Sequence, residues 1–432
     1  MSVQAPAEYD IAGIGFGPSN LALAIAIEEH NHTVAEPLRA VFFERQQRFG
    51  WHRGMLLDGT TMQVAFPKDL ATFRNPTSAY TFFSYLHDRN RLADFVNHQT
   101  FFPSRKEFHD YLEWAAGKVD ADVRYGTAVT RITPAADGTA HSVEAGGTTV
   151  VARNVVAALG LRERLPEDVT ASRRCFHNHQ FLHHIERMPQ PQHQRFVVVG
   201  AGQSAAEIVD YLHSRYPTAA VHSVFSRFGY SPADDSPYAN RIFDPSVVDE
   251  FHYAPTEVRQ RLLALHRGVN YSVVDPELIA HLYETEYQER VTGQRRIFMH
   301  RASRVDGVTE TTDGVTVTVR SDLNGHAETL KCDAVVCATG FTPTPLHPLF
   351  GDIISEPPAV ARDYRVITDP RIRAGIYLQG GVEHTHGISS SLLSNVAVRA
   401  GEILNSIAQR RTDARVMGGE LADQHAVWAT AR

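Results

Sequence analysis

Short apolar, β-branched runs alternate with glycine-rich turns and apolar helical stretches along the chain, and the order occurs twice. The first instance, Tyr9-Asp-Ile-Ala-Gly-Ile-Gly-Phe-Gly-Pro-Ser-Asn20, is a β-type run that breaks into glycines. Leu21-Ala-Leu-Ala-Ile-Ala-Ile27 follows without a polar face, which predicts a buried helix, hence strand, tight turn and helix in succession. A second β-type run, Arg39-Ala-Val-Phe-Phe43, ends in Glu44, 44 − 13 = 31 residues beyond Gly13. It completes a βαβ unit with a carboxylate at the tip of its second strand. At Arg195-Phe-Val-Val-Val199 the pattern returns: an apolar strand meets Gly200-x-Gly202-x-x-Ala205 and a helix expected to run to about Ser214.

Each unit is followed by a short strand ending in glycine, Val155–Gly160 after the first and Val335–Gly340 after the second. The intervals, 160 − 13 = 147 and 340 − 200 = 140, point to a duplicated architecture. Hairpin signals lie between, Gly146-Gly147 and Asp313-Gly314, the latter beside the alternating run Val315-Thr-Val-Thr-Val319. Residues 61–80, 228–290 and 380–400 fit neither unit and are rich in Asn, Ser, His and aromatics, as the walls of a substrate site would be. Residues 410–432, polar and alanine-rich, are expected to fray.

The glycines have a chemical use. Without Cβ atoms at Gly13, Gly15 and Gly17, the backbone can approach a pyrophosphate, whose charge is met by N–H groups at a helix N-terminus. In this reading Pro18 stands where the usual fingerprint has its third glycine, which a first helical turn tolerates. Glu44 favours a ribose 2′-hydroxyl, because a carboxylate repels a 2′-phosphate. In the second unit the strand Ala220–Phe225 ends in Ser226-Arg227 with no acid, and a guanidinium there suits a 2′-phosphate. FAD in the first cradle and NADPH in the second is the natural order.

The resulting expectation is an α/β protein with two dinucleotide-binding Rossmann-like domains, each with a small β-meander, and a smaller, mainly helical substrate-binding region. The FAD-binding domain would be discontinuous, 1–165 with 331–432; 166–330 would bind NADPH; 228–290 with 380–400 would form the substrate region.

Composition narrows the partners. Of 432 residues, 43% are hydrophobic and 21% charged, as in globular enzymes. The balance 42 − 49 = −7 gives no general attraction for nucleic acid or an anionic membrane, so neither is an expected partner. The N-terminus lacks a signal-peptide pattern and no apolar run nears the ~18 residues of a membrane span, which places the expected location in the cytoplasm. Cys175, Cys332 and Cys337 form no Cys-x-x-Cys pair, which argues against a dithiol centre and a cysteine-rich zinc site. His183-His184 and His384-Thr-His386 lack supporting ligand spacing, and no metal site is expected. No Ser-His-Asp order emerges either, as befits an enzyme whose cofactor carries the chemistry.

With these residues in view, the chain resembles, almost end to end, the microbial N-hydroxylating flavoprotein monooxygenases, the L-ornithine N5- and L-lysine N6-hydroxylases of siderophore biosynthesis. The likeness rests on Gly13-Ile-Gly-Phe-Gly-Pro-Ser-Asn-Leu21, Trp51-His52, Met62-Gln-Val-Ala-Phe-Pro-Lys-Asp-Leu-Ala-Thr-Phe-Arg-Asn-Pro76 and Phe101-Phe-Pro-Ser-Arg-Lys-Glu-Phe108. It extends through Gly200-Ala-Gly-Gln-Ser-Ala-Ala-Glu207, Asp235-Ser-Pro-Tyr-Ala-Asn240, Asn270-Tyr-Ser272, Ala338-Thr-Gly-Phe341 and His386-Gly-Ile-Ser-Ser-Ser-Leu-Leu-Ser394. The resemblance implies that reduced FAD adds dioxygen to give a C4a-hydroperoxide, whose distal oxygen passes to a side-chain amine. It implies that NADPH supplies the hydride and that NADP⁺ stays bound.

Carried onto matching positions, it implies that Lys68 pairs with the carboxylate of the amino acid while Asn240 and Asn270 hold its backbone end. Trp51, His52, Met62 and Gln63 would line the flavin, and Gln203 and Ser204 would touch the nicotinamide cofactor. Leu392 and Ser394 would close the pocket; Pro18, Ser19 and Thr339 complete the cofactor contacts. The roles agree with the residue chemistry, since a zwitterion needs a cation for its carboxylate and amide oxygens for its ammonium. The amine must be neutral to react, and no dedicated base stands out.

Ornithine and lysine differ by one methylene, worth only about 1–3 kcal/mol in a pocket. His386–Asn395 and Phe66–Leu70 look more like the ornithine enzymes, so L-ornithine is the expected substrate, with L-lysine and then a diamine as alternatives. The Baeyer–Villiger signature Phe-x-Gly-x-x-x-His-x-x-x-Trp is missing, and the comparable stretch reads Cys175-Phe-His-Asn-His-Gln-Phe181. Members of the family are often tetramers, and a homo-oligomer is the expectation carried over.

Overall fold

The computed structural model describes residues 8–188 and 194–430; the side chains of Arg267, Asn270 and residues 414–430 lie outside the described set. Two parallel sheets of the same design carry the chain. In the first, the strands Asp122–Arg124, Ala40–Phe43, Glu8–Ile14, Thr148–Ala157 and Gly375–Leu378 lie side by side, all parallel. In the second, Ile297–His300, Ala220–Val224, Arg195–Val199, Ala334–Cys337 and Cys175–His177 take the same order. The central strands read as unbroken apolar runs because both their faces are covered, and Ala334–Cys337 and Gly375–Leu378 are buried at every position. In the second sheet Val198 and Val336 pack under helices, while Val197, Val199 and Val335 pack against Val315, Val317 and Val319 of a β-meander.

The long strand Thr148–Ala157 does two jobs. One edge pairs with Glu8–Ile14; the other takes His141–Ala145 antiparallel along its first half and Gly375–Leu378 parallel along its second. The Gly146-Gly147 turn has φ of 55° and 77°, the left-handed pair that a two-residue hairpin needs. The second meander, Ser303–Thr311, Gly314–Ser321 and Ala327–Cys332, forms a separate sheet against the second unit. The helix Pro18–Asn31 buries eight successive residues, Asn20–Ile27, between its sheet and the C-terminal helix Val396–Thr430. The segment expected to fray is the later part of that helix, and its side chains beyond 413 lie outside the described residues.

Two expected boundaries move. Ala334–Cys337 belongs to the second sheet, so the chain returns to the first unit near Phe341–Pro343 and not at residue 331. Phe341–Pro343 pairs antiparallel with Leu161–Glu163, and these two segments are the paired crossings between the units. Within 228–290 the structure is helical, as expected, but Pro276–Thr292 packs Leu282 into the second unit's core. It serves as the crossover helix between Ala220–Val224 and Ile297–His300, because a parallel pair needs such a connection.

Candidate active site

The two cradles superimpose in their hydrogen bonding. Gly15 N donates to Phe43 O at 2.8 Å and Ala158 N to Ile14 O at 2.9 Å; in the second unit Gly200 N donates to Val224 O at 3.0 Å and Ala338 N to Val199 O at 2.8 Å. Gly15 is therefore the partner of Gly200, and Gly17 of Gly202. A Cβ on Gly15 (φ +82°) would lie 2.5 Å from Ala158 O, and one on Gly200 (φ +138°) would lie 2.2 Å from Ala338 O. The duplication intervals become 160 − 15 = 145 and 340 − 200 = 140, closer than the sequence spacing suggested.

This register corrects the expected fingerprint. Gly13 lies inside the strand, where the space of its missing Cβ is filled by the Phe42 ring at 2.2 Å, so the structure gives it a packing position. Pro18 is the first helical residue, and the third-glycine position falls to Asn20. That side chain is fully buried and donates to Gly15 O at 2.7 Å, bracing the turn where Ala205 simply fits in the second unit. Gly17 caps the helix with no side-chain bond and open space within 4 Å of where a Cβ would stand; Gly202 likewise caps Gln203–Arg215 without a side-chain bond. Neither helix carries an acid in its first turn. Both leave uncapped N–H groups and positive dipole ends for an anion.

Glu44 is buried at the tip of its strand. Its Oε2 accepts from Phe16 N at 2.7 Å and its Oε1 from Gln46 N at 2.8 Å, which fixes the carboxylate beside the glycine turn. Each oxygen retains a lone pair, enough for a ribose hydroxyl. Around Ser19, buried polar atoms have no partner among the described residues: Gln379 Oε1 and Arg399 Nε. Gln379 Nε2 donates to Ser19 O at 3.1 Å and to Asn20 Oδ1 at 2.9 Å, and Arg399 Nη2 reaches Ser19 Oγ at 3.4 Å. Incomplete hydrogen bonding of this kind, beside an open helix N-terminus, fits a dinucleotide.

The second cradle is closed by the segment after Asn270. Ser272 Cα lies 3.5 Å from where a Cβ on Gly202 would stand, and Arg227 Nη1 donates to Ser272 O at 2.9 Å and to Ser231 Oγ at 3.2 Å. Arg227 is exposed, at the end of its strand beside this turn. Gln203 is tied down twice: Oε1 accepts from Asp275 N at 2.8 Å, and Nε2 donates to Glu207 Oε1 at 3.0 Å. Glu207 in turn forms a bidentate pair with Arg105 of the first unit, at 2.7 and 2.9 Å, so one network links the two units to the nucleotide helix. Ser204 lies in the first turn of that helix.

A third set of residues lies where the insertions meet. Lys68 Nζ is 5.5 Å from the Phe243 ring centroid. Burial holds its pKa below the ordinary lysine value, and Asp244 opposes that shift. Asn240 stands in the same turn, Ala239–Phe243; its Nδ2 donates to Asp235 O at 2.7 Å, leaving Oδ1 as an acceptor. The segment Ile388–Ser391 packs against this turn, and Ser394 is buried just beyond it, with Leu392 partly exposed between. Asn270 ends the short helix Arg267–Asn270, and its side chain lies outside the described residues.

At the crossing of the two units, His52 (φ +49°) packs against Trp51, His179 and Phe341 with ring centroids 4.6, 5.4 and 6.3 Å apart. Burial, with His179 and Arg105 adding positive charge, pushes His52 down to about 3, so the imidazole is neutral. Met62 is buried, but Gln63 is exposed. Thr339 is tied to Arg164: its carbonyl accepts from Arg164 Nη2 at 2.6 Å and its hydroxyl donates to Arg164 O, both within the crossing. Among the described residues no three His, Cys, Asp or Glu side chains gather as a metal site. His384 bonds Pro358 O at 2.9 Å and His386 bonds Arg362 O at 3.1 Å instead. No described helix is long and apolar enough to cross a membrane.

Two repeated nucleotide cradles joined by paired crossings, with Lys68 set against the Asn240 turn, define a two-dinucleotide oxidoreductase. The chain belongs to the L-lysine 6-monooxygenase/L-ornithine 5-monooxygenase family, whose model matches residues 7–343. Its structure is similar to the ornithine N-hydroxylase of Kutzneria sp. 744, solved with reduced FAD, NADP⁺ and L-ornithine. The TM-score is 0.90 at 43% identity, covering 94% of this chain and all of that one. The L-ornithine N(5)-oxygenase of Arthrobotrys oligospora is 40% identical, over 92% of this chain and 88% of that one. The L-lysine 6-monooxygenase of Pseudomonas syringae is more distant, with a TM-score of 0.80 at 32% identity, covering 93% of this chain and 99% of that one.

Proposed function

We propose that the chain is an FAD- and NADPH-dependent monooxygenase that hydroxylates the side-chain amine of L-ornithine, giving N5-hydroxyornithine for siderophore or related natural-product biosynthesis. The observation that carries this reading is the juxtaposition of Lys68 with the Asn240 turn. A half-buried lysine whose protonated form is disfavoured by burial gains most from an arriving carboxylate, which restores its charge. Asn240 Oδ1 would accept from the α-ammonium, and Asn270 would supply the second amide.

FAD, when bound, supplies the activated oxygen. Gly15, Gly17 and the first turn at Ser19 would hold its diphosphate and Glu44 its ribose. Gly200, Gly202 and the Gln203–Ser204 turn would hold NADPH, with Arg227 on the 2′-phosphate. Trp51 and His52 would line the flavin, and His52, neutral and packed by Trp51, would do so without adding charge. Met62 and Gln63 would line the flavin and Leu392 and Ser394 the pocket mouth, with Thr339 at the crossing.

The greater likeness to an ornithine enzyme than to a lysine enzyme, 43% against 32% identity, supports the shorter substrate. The reading also includes a cytoplasmic homo-oligomer. Exposed Phe83, edge-on to Phe66, and exposed Phe101, stacked on it, give such an assembly an apolar face. The test is NADPH oxidation and hydroxylamine product measured with ornithine, lysine, putrescine and a cyclic ketone. Product with ornithine at far higher kcat/KM than with lysine is expected, and ketone turnover without amine hydroxylation would overturn the assignment.

A further inference from the structure

Arg399 is a charged side chain that none of the roles above uses. It is 2% exposed on the C-terminal helix and makes no ion pair among the described residues. Its Nη1 donates to Ser390 O at 2.6 Å and more weakly to Ser389 O at 3.5 Å, its Nη2 reaches Ser19 Oγ at 3.4 Å, and its Nε has no partner among the described residues. Glu402, three residues further along the helix, is already held by Arg362 through two bonds of 2.9 Å.

A buried guanidinium without its own acid is costly. Here the cost is compounded, because Arg399 reaches the first turn of Pro18–Asn31, whose dipole presents positive charge at the same place. Two positive sources converging on one turn repel each other unless an anion lies before them. Ser19 supplies the geometry: its oxygen accepts from Arg399, which leaves its own hydroxyl proton free to point outward.

We propose that Arg399 is the fixed counter-charge for the diphosphate of FAD, acting through the Ser19 hydroxyl, which it polarises and orients as a donor. The inference rests on the reading of the first cradle as the FAD site. Because the same guanidinium holds the carbonyls of Ser389 and Ser390, cofactor binding also steadies the 387–395 segment beside the Asn240 turn. Arg399 is thus a positioning residue that links cofactor occupancy to order at the amino-acid pocket.

The test titrates FAD into the flavin-stripped, full-length chain, following quenching of flavin fluorescence, for wild type, R399M, R399K, S19A and the R399M/S19A double variant. Hydrogen exchange across 387–395 is measured with and without FAD. R399M should weaken FAD binding about tenfold or more, as loss of a charge-assisted contact implies, with R399K within about threefold of wild type. S19A should weaken it too, and the double variant should be no worse than R399M, since both act through one hydroxyl. FAD should slow exchange across 387–395 in wild type and not in R399M. Wild-type affinity in R399M, or S19A and R399M losses that add in full, would overturn the proposal. If R399M does not fold, S19A decides alone: wild-type FAD affinity with an unchanged apoprotein melting curve overturns it. A wild-type chain that takes up no FAD defeats the functional reading itself, and that result is distinct from failure of any variant.

Discussion

Gly15 and Gly17 stand two residues apart in one turn, yet a methyl group added to each meets opposite surroundings. At Gly15 the backbone is left-handed, which costs a non-glycine residue about 1–2 kcal/mol, and the new Cβ would lie 2.5 Å from the Ala158 carbonyl. Relief of such overpacking adds about 1–3 kcal/mol, so Gly15→Ala should lose about 2–5 kcal/mol of stability. At Gly17 φ is −83° and nothing lies within 4 Å. The loss of glycine's unfolded-state entropy stabilises by about 0.4–1 kcal/mol, close to what alanine gives up as an N-cap. The apoprotein of Gly17→Ala should therefore unfold within ~0.5 kcal/mol of wild type. Its methyl group would occupy the approach to the helix N–H groups, and losing even one charge-assisted bond there, about 1.5–3 kcal/mol, weakens FAD at least tenfold. Urea unfolding of both apoproteins, with FAD titration of each, checks both halves. Equal destabilisation by the two substitutions, or full FAD affinity in Gly17→Ala, would refute the assignment of that open space to a cofactor.

Lys68→Ala should raise the KM for ornithine by about ten- to a hundredfold, the value of one charge-assisted contact to a carboxylate, with the KM for NADPH unchanged; steady-state kinetics in both substrates decides it. Arg227→Ala should reduce the preference for NADPH over NADH about tenfold, read from the two kcat/KM values, because only the phosphorylated cofactor uses that guanidinium. Acid should weaken the fold well above the carboxylate range. Buried His386 is pushed down to about 3, and His141 and His222 to about 4, against an ordinary value of 6.5. The unfolded chain then binds more protons below pH 6.5, so stability is intact above that pH and falls on acidification by up to about 1.4 kcal/mol per group per pH unit. Urea midpoints at pH 7.5 and 5.5 measure this loss, and equal midpoints would contradict it.

What could be read from the chain, and what could not, divides along local and non-local lines. Parallel strands covered on both faces appear as solid apolar runs, so Arg195–Val199 and Val335–Cys337 announce themselves, and the glycines after the first strand mark a turn that approaches a carbonyl closely. Which sheet Val335–Cys337 joins is settled only by its pairing with Val197–Val199, a contact across more than a hundred residues, and the domain boundary at 331 failed for that reason. Gly13, Gly15 and Gly17 offer two overlapping matches to one fingerprint; only the hydrogen bond from Gly15 to Phe43 shows which match ends the strand. Arg399 is the harder case. In Val396-Ala-Val-Arg399-Ala-Gly-Glu402 it has the spacing of a solvated helical arginine, with an acid three residues on that ought to be its partner. Arg362, brought in from a distant loop, takes that acid, and the 387–395 segment folds over the guanidinium. The charge is therefore left facing Ser19, and no property of the helix alone could have revealed it.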